Sequence, residues 1–175
     1  MLIYKEDGPL KRLVVDGLLA AQMYGVIKLL KKLPEFELAI EIGTCRGAFA
    51  LAIKKYLKCE VHTIDIKRWD ELDLGLLSYY DVHFHDGDCF HNKQIEGLVK
   101  DDRKKIVFCD GGHKITEMSY FSGLINKGDY IGAHDFFINK EDNKEWTTCE
   151  IELKDVEHLG LQMVYNEYAW GIFKK

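Results

Sequence analysis

Residues 38–47 read Leu38-Ala-Ile-Glu-Ile-Gly-Thr-Cys-Arg-Gly47, a short apolar segment that runs into a turn containing two glycines. The apolar segment predicts a buried β-strand, and the following residues, 48–57, predict a helix. Glycines at positions 43 and 47 permit a tight turn and leave the backbone bare for a ligand at the start of that helix. This stretch therefore predicts one strand–turn–helix unit of an α/β protein, with a ligand site at the turn.

The alternation of strands and helices continues beyond this unit. Further strands are predicted at 60–64, 81–85, 105–109 and 129–133, and further helices at 71–79, 90–99 and 114–126. Short apolar strands separated by helices of about ten residues indicate a parallel sheet that is covered on both faces. After residue 140, a charged helix at 150–158 precedes two strands, 161–165 and 168–173, with Asn166-Glu167 as the predicted hairpin turn. We therefore predict an α/β fold, a Rossmann-like three-layer α/β/α sandwich with a mostly parallel, seven-stranded sheet and a C-terminal antiparallel hairpin.

The N-terminal residues are predicted to be helical. Between Leu10 and Leu33, apolar residues recur at the i, i+3, i+4 spacing of an amphipathic helix, and Pro34 ends the pattern. We expect residues 1–34 to form a helical segment that packs on the remainder of the chain. Residues 35–175 then form the ligand-binding domain, within a single domain overall.

Composition restricts the classes of function. The chain has 175 residues, 47% of them apolar and 30% charged, which is typical of one globular domain. The net charge is −5, and the short basic clusters at 28–32, 54–58 and 103–105 are explained by solvated helix ends or loops, so no nucleic-acid partner is expected. No membrane association is expected either, because the longest uncharged stretch near the N-terminus, 17–27, is too short to span a bilayer. A homo-oligomer is compatible with this composition.

Residues 1–7 carry three charges and no apolar run, so we expect no signal peptide and a cytoplasmic location. Five scattered cysteines without the spacing of a zinc site fit a reducing compartment.

The candidate site residues follow the predicted strands, because ligands of open α/β sheets bind beyond the carboxyl ends of the strands. Asp65 follows the second strand, where a carboxylate can accept hydrogen bonds from both hydroxyls of a ribose. Asp88 follows the third, where it can meet the amine of an adenine. A dinucleotide fingerprint would need glycine at position 45, but Cys45 stands there, which favours a nucleoside without phosphates.

Together these residues resemble the class I S-adenosylmethionine-dependent methyltransferases, over a region from about Tyr24 to Phe136. Residues 41–47 resemble the first motif of that family, Asp65 its ribose-binding acid, and Gly87-Asp88 its adenine-side motif. Residues 108–113 and 128–135 are similar to small-molecule O-methyltransferases of the catechol, macrolide-sugar and cephalosporin-tailoring groups. The resemblance implies that residues 35–175 bind S-adenosylmethionine and that the protein methylates a hydroxyl group of a small-molecule acceptor.

The resemblance also assigns roles to single residues. The expected cofactor contacts are Glu41, Gly43, Thr44, Gly47, Asp65, Gly87, Asp88 and Asp110. Asp110 and Asp135 are the expected ligands of Mg²⁺ or Mn²⁺, a hard cation that would orient the acceptor hydroxyl, and Asp110 and His113 are the expected catalytic residues, His113 as general base. The chain departs from the catechol-type pattern because Phe136 follows Asp135 and His134 precedes it. His134 is a third metal ligand, a second base or a histidine that faces the core.

Other interpretations stay open at this point. His83, His85, Asp88 and His91 suggest a metallohydrolase, although Gly87 breaks the H-x-H-x-D-H motif of that class. The same fold could also bind a nucleoside without catalysis, since the chain is short for this group of enzymes. Several aromatic residues are candidates for an acceptor pocket: Tyr79, Tyr80, Phe136, Phe137 and Trp146.

Overall fold

The computed structural model of the protein describes residues 4–7, 12–15, 18–20, 25–139, 141 and 149–175. Three short antiparallel strands come first, β1 (Tyr4–Asp7), β2 (Arg12–Val15) and β3 (Leu18–Ala20). Within the described residues, the helix predicted from Leu10 to Leu33 is wrong at β2 and β3 and is found only as α1 (Val26–Lys32). The physical reason is visible in the sequence, because Asp16-Gly17 between two apolar runs favours a two-residue hairpin over a continuous helix.

A seven-stranded sheet forms the centre of the fold. The strands after α1 are β4 (Leu38–Ile42), β5 (Glu60–Asp65), β6 (Val82–Asp86), β7 (Lys105–Cys109), β8 (Tyr130–His134), β9 (Phe136–Phe137), β10 (Ile151–Glu152), β11 (Gln162–Glu167) and β12 (Trp170–Lys174). Strands β9 and β10 form a separate parallel pair, and the main sheet has the order β11-β12-β8-β7-β4-β5-β6. Five of its strands are parallel, whereas β11 and β12 are antiparallel, so the predicted sheet and its C-terminal hairpin are confirmed.

Helices cover both faces of this sheet. They are α2 (Ala48–Leu57), α3 (Leu74–Tyr79), α4 (Lys93–Lys100), α5 (Lys114–Leu124) and α6 (Leu153–Val156), the last followed by a 3₁₀ turn at Glu157–Leu159. Ala39 faces a core with α1, α2 and α3, whereas Leu38, Ile40 and Ile42 face a second core with α4, α5 and α6. This alternation follows from the two-residue period of a strand and gives the predicted three layers. No helix in the described part of the chain is long and apolar enough to cross a membrane.

Side-chain caps decide where two helices begin. Asp73 accepts a hydrogen bond from the backbone N–H of Leu76 at 2.9 Å, so α3 begins at Leu74 and not at residue 71. Asn92 accepts hydrogen bonds from Gln94 N and Ile95 N, both at 3.0 Å, so α4 begins at Lys93 and not at residue 90. In both cases the capping oxygen satisfies amide groups that the first helical turn leaves unpaired. The charged helix predicted at 150–158 forms only as α6 and the 3₁₀ turn.

The C-terminal hairpin turns at Tyr168 and Ala169, which have φ values of 56° and 60°. A two-residue hairpin loop with both φ values positive matches the right-handed twist of the flanking strands. Asn166 and Glu167, the predicted turn residues, instead pair with Gly171 and Trp170 in the ladder. The turn therefore lies two residues later than predicted, because the register of β12 against β8 sets its position.

One lysine of the three basic clusters does not lie on the surface. The side chain of Lys105 is fully buried in β7, and its Nζ donates to Asp129 Oδ2 at 2.6 Å and to the carbonyl oxygen of Asp101 at 2.5 Å. A buried ammonium needs such partners, because an unpaired charge in the interior is strongly destabilising. Lys105 thus closes the amino end of β7, opposite the edge that carries the site.

Candidate active site

The carboxyl ends of the central strands meet at one edge of the sheet, where two adjoining cavities open. The first has a volume of about 520 Å³ and is lined by residues that follow β4, β5, β7 and β8. The second, of about 410 Å³, is lined by residues that follow β4, β5, β6 and β7. Gly43, Asp65 and Gly111 line both cavities and mark the boundary between them. The strand order reverses at β4, so this is the switch point at which doubly wound sheets bind ligands.

The turn after β4 requires glycine at position 43. Gly43 has a φ of 95°, and a Cβ atom placed there would lie 2.4 Å from the carbonyl oxygen of Asp110. A side chain would therefore collide with backbone, and L-residues rarely adopt this φ. Gly47, with a φ of 84°, is the residue from which α2 starts. The glycine turn and the loop after β7 are thus in direct contact at the base of both cavities.

Asp65 at the end of β5 is tied to the glycine turn. Its Oδ2 accepts a hydrogen bond from Cys45 N at 2.8 Å, and its Oδ1 accepts one from Lys67 N at 3.0 Å. Each carboxylate oxygen has a second lone pair, so both can still accept a hydrogen bond from a ligand. The predicted ribose-binding acid therefore lies at the boundary between the cavities, and its carboxylate can still accept hydrogen bonds from a ligand.

Glu41 and Thr44 belong to a buried chain of hydrogen bonds. Thr63 Oγ1 donates a short hydrogen bond to Glu41 Oε2, and the hydroxyl oxygens of Thr44 and Thr63 are 2.6 Å apart. Burial raises the pKa of Glu41 well above its ordinary value, and the nearby Asp110 and Asp65 carboxylates raise it further, against the opposing hydrogen bond from Thr63. Glu41 lines the first cavity as an acid that favours its uncharged form.

The second cavity combines apolar walls with carboxylates. Ile64, Cys89 and Phe90 line it together with Gly87 and three acidic residues, Asp65, Asp88 and Glu117. Asp88 Oδ1 accepts a hydrogen bond from Phe90 N at 2.9 Å, which fixes the carboxylate at the start of this loop. Apolar walls beside this placed acceptor suit a flat heteroaromatic ring that bears an amino group.

Asp110, His134 and Asp135 converge in the first cavity. His134 Nδ1 lies 3.2 Å from Asp110 Oδ1 and 3.6 Å from Asp135 Oδ2. One potential ligand atom from each residue lies within 4.8 Å of the others, and within the described ranges no other three such residues meet this closely. Burial alone lowers the pKa of His134, but the Asp110 and Asp135 carboxylates outweigh it, so the pKa lies above its ordinary value.

Two charged residues of α5, which the sequence analysis did not single out, complete this cluster. Lys114 Nζ lies 3.3 Å from Asp135 Oδ2 and is also within ion-pairing distance of Asp110. Glu117 Oε1 and Oε2 accept hydrogen bonds from the backbone N–H groups of His113, at 3.1 Å, and of Gly111, at 3.2 Å, so Glu117 fixes the loop after β7. The available signal was their place in the first turn of a helix that starts just after Asp110.

His113 is not part of this cluster. It is exposed, directly precedes α5 and lines the second cavity, whereas Asp110, His134 and Asp135 line the first. The backbone N–H groups of Gly111 and His113 donate to the Glu117 carboxylate and so fix this part of the loop. The position expected for His113, beside Asp110 and Asp135, therefore differs from the observed one, and its role as a base stays a prediction.

The four residues of the metallohydrolase interpretation do not form one group. His85 Nε2 lies 2.8 Å from His62 Nδ1, and the ring of His83 stacks on that of His62 with a centroid distance of 4.7 Å. His91 instead pairs with Asp88, with 3.2 Å between Nδ1 and Oδ2. Two of the predicted ligands thus join a histidine of β5, and the other two pair separately beyond the end of β6.

Aromatic surface in the first cavity comes from a residue that the sequence analysis passed over. Trp69 lines this cavity together with Ile66, and both side chains are partly exposed. Tyr79 is 79% exposed and Phe136 is fully buried, and neither lines a cavity. Trp146 lies outside the described residues.

No family model matches the sequence, and no curated protein matches it either. Solved structures do match. An O-methyltransferase family protein from Burkholderia thailandensis superposes with a TM-score of 0.60 and 11% identity, over 85% of this chain and 54% of that chain. Human N-acetylserotonin methyltransferase in complex with S-adenosylmethionine gives a TM-score of 0.56 and 14% identity, over 85% and 50%. The Mg–SAM form of CmcI gives 0.57 and 17%, over 85% and 68%.

This chain therefore spans about half the length of the first two of these proteins. At such low identity the likeness concerns the fold, and it covers most of the described sheet and its helices. The strand order, the glycine turn after β4 and the acid after β5 were established above without reference to these structures. We conclude that the chain has the fold of the class I S-adenosylmethionine-dependent methyltransferases, of the kind found in O-methyltransferases.

Proposed function

We propose that this protein is an S-adenosylmethionine-dependent methyltransferase that acts on a hydroxyl group of a small molecule. The observation that carries the proposal is the position of Asp65 between two cavities of different character. One cavity has apolar walls beside the Asp88 carboxylate that suit a heteroaromatic ring, and the other is lined by the cluster of Asp110, His134 and Asp135. A nucleoside whose sugar is bound by Asp65 would extend into both.

The cofactor contacts follow from this arrangement. Asp88 and Phe90 would hold the adenine in the second cavity, and Asp65 would bind the ribose hydroxyls. Gly43 and the start of α2 at Gly47 would leave room for the amino-acid end of the cofactor in the first cavity. Thr44 and Glu41 would stabilise this turn through their hydrogen bonds with the Thr63 hydroxyl.

The chemical step needs an aligned acceptor and a group that takes its proton. When bound, S-adenosylmethionine supplies an electrophilic methyl group, whose bond to sulfur breaks as its bond to the acceptor oxygen forms. We propose that His134 takes the hydroxyl proton and that Asp110, at 3.2 Å from His134 Nδ1, orients the ring and stabilises the imidazolium. Trp69 and Ile66 would contact the acceptor, which would lie close enough to react once it is held in the same cavity.

A divalent metal, expected from Asp110, Asp135 and His134, fits this site poorly. Three ligand atoms are close enough together for Mg²⁺ or Mn²⁺. However, Asp110 Oδ1 and Asp135 Oδ2 both lie within 4 Å of the ammonium of Lys114. The ammonium of Lys114 therefore already supplies a positive charge beside the two carboxylates, and we derive no catalytic step through a metal.

The experiment that tests the proposal is calorimetric titration with S-adenosylhomocysteine, with NAD as the comparison ligand. We expect micromolar affinity for S-adenosylhomocysteine and weaker binding of NAD, because Cys45 occupies the position where a pyrophosphate would need glycine. Tighter binding of NAD would overturn the proposal. Transfer of a radiolabelled methyl group to members of a panel of catechols, phenols and sugars would then establish turnover.

Binding without turnover on any acceptor would favour the alternative that the chain is a nucleoside-binding module of the same fold. The convergence of Asp110, His134 and Asp135 in a cavity next to the proposed cofactor site supports an enzyme instead. No disulfide bond links any of the five cysteines, all of which are among the described residues, and this is consistent with the cytoplasmic location that we retain as part of the proposal.

A further inference from the structure

The cluster of Asp110, His134, Asp135 and Lys114 has an alternating arrangement of charges. Lys114 Nζ lies 3.7 Å from Asp110 Oδ1 and 3.3 Å from Asp135 Oδ2. His134 Nδ1 lies 3.2 Å and 3.6 Å from the same two oxygens. The Lys114 and His134 nitrogens and the two aspartate oxygens therefore alternate around a ring of four atoms. Each of these two carboxylate oxygens thus lies within 4 Å of two nitrogen atoms.

Lys114 is held in this position by more than the two aspartates. Its Nζ also donates to Glu150 Oε2 at 2.7 Å and to the carbonyl oxygen of Gly111 at 3.2 Å. The residue is only 6% exposed and is the first residue of α5, so its backbone is fixed by the helix. Burial alone would lower the pKa of Lys114, but Asp110, Glu150 and Asp135 raise it above its ordinary value, so the side chain stays an ammonium.

We propose that Lys114 takes the place of a divalent cation, so that this site operates without a metal. Mg²⁺ binds carboxylate oxygens at about 2.0–2.1 Å, so an ion bound between the two aspartates would lie within a few ångströms of the ammonium. Like charges at that distance repel strongly in a partly buried site. The ammonium itself pairs with both carboxylates and thereby fixes their positions relative to each other.

Lys114 is a positioning residue in this proposal. Asp110 and Asp135 line the first cavity, and Lys114 acts through its contacts with them. The role of Lys114 in the reaction rests on the proposed function, because the carboxylates that it fixes would orient the hydroxyl group of an acceptor. The exclusion of a metal rests on the charges alone and can be tested without any acceptor.

The test is a titration with Mn²⁺ alone, followed by electron paramagnetic resonance of the free ion and by calorimetry. We expect no binding to the wild-type protein below millimolar concentration. Lys114→Met removes the ammonium but keeps an unbranched chain, and it should gain Mn²⁺ affinity by roughly tenfold or more, because three ligands of a hard cation remain. Lys114→Arg should not gain it, and neither should Lys127→Met, which removes a charge from an exposed lysine elsewhere.

Submillimolar binding to the wild type that Asp110→Asn abolishes would overturn the proposal, as would a folded Lys114→Met protein that binds no Mn²⁺. If Lys114→Met does not fold, Lys114→Gln replaces it, and the wild-type titration decides on its own. Titration of the same samples with S-adenosylhomocysteine separates the two proposals. Loss of nucleoside binding contradicts the proposed function, whereas wild-type Mn²⁺ binding contradicts only the role of Lys114.

Discussion

Cys45 N donates a hydrogen bond to Asp65 Oδ2 at 2.8 Å, and this contact joins the turn after β4 to the end of β5. The bond orients the carboxylate before any ligand arrives, because one lone pair of Oδ2 is fixed by backbone. A preoriented acceptor loses less conformational entropy on binding than a free side chain would. The contact therefore links the glycine turn, which is recognisable in the sequence, to the proposed ribose-binding carboxylate of Asp65.

Asp65→Ala should weaken the binding of S-adenosylhomocysteine by about 1.5–3 kcal/mol, the range for hydrogen bonds to a charged group. This corresponds to a roughly 10- to 150-fold rise in Kd measured by calorimetry. Asp86→Ala is the matched control, because Asp86 pairs with Asp65 in the sheet register but is exposed and lines neither cavity. Equal affinities of the wild type and Asp65→Ala would remove the ribose assignment.

Gly43→Ala should destabilise the protein by about 2 kcal/mol or more, since strained backbone and a collision add together. The added Cβ would meet the backbone of Asp110, which cannot move as a flexible side chain would. Gly97→Ala provides the contrast, because Gly97 lies within α4 and its Cβ would meet nothing within 4 Å. That control should be stabilised by about 0.5–1 kcal/mol. Urea unfolding of both variants measures the difference, and equal effects would contradict the close approach of the two loops.

The stacked histidines between β5 and β6 should make stability depend on pH. Burial lowers the pKa of His62 and of His85 from the ordinary value of 6.5, and their mutual repulsion when charged adds to the effect on His85. The unfolded chain then binds more protons than the folded one between these lowered pKa values and 6.5. Stability should therefore be complete above pH 6.5 and should fall as the pH decreases through that window.

The titratable and charged groups around His62 are Glu60, whose Oε1 lies 2.7 Å from His62 Nε2, together with His83, His85, Asp81 and Arg103. His134 shifts in the opposite direction, so the quantity to measure is the difference between the wild type and His62→Gln. Urea unfolding at several pH values should give a shallower pH dependence for His62→Gln below pH 6.5. His91→Gln, at a side chain that is 82% exposed, should leave the curve unchanged, and a curve unaffected by His62→Gln would contradict the prediction.

His134→Gln should lower kcat by roughly 10²- to 10⁴-fold on any acceptor that the panel identifies, the range for loss of a general base. Its affinity for S-adenosylhomocysteine should change little, because a group that acts at the reacting centre contributes little to ground-state binding of the other substrate. His113→Ala should show the reverse pattern, since His113 lines the second cavity with Asp88. A larger loss of kcat for His113→Ala than for His134→Gln would return the role of base to His113.

Much of the central fold follows from local sequence patterns. In β4, Leu38, Ile40 and Ile42 alternate with residues that face the other core, and this two-residue period predicts a strand with both faces buried. Since parallel strands end at the same edge, the residues that follow them, such as Asp65 and Asp110, are predicted to lie at one edge of the sheet.

The N-terminal residues show where local pattern fails. The apolar spacing between Leu10 and Ala21 fits a helix, yet β2 and β3 occupy most of it, because Asp16-Gly17 offers a hairpin that brings two apolar runs side by side. The helical period of 3.6 residues and the strand period of two residues both fit this short sequence, and only pairing with a neighbouring strand distinguishes a strand from a helix.

The parallel sheet, the glycine turn and the set of acids and histidines at the strand ends follow from the amino-acid sequence, because these depend on residue type and on periods along the chain. How these side chains are grouped depends on the tertiary structure. It placed His134 beside Asp110 and turned His113 towards the second cavity. It also brought the Lys114 ammonium within 4 Å of two carboxylates that stand on different strands. Distances between elements depend on how a helix starts and packs, and a side chain such as Lys114 is buried with its charge only when all of its partners arrive together.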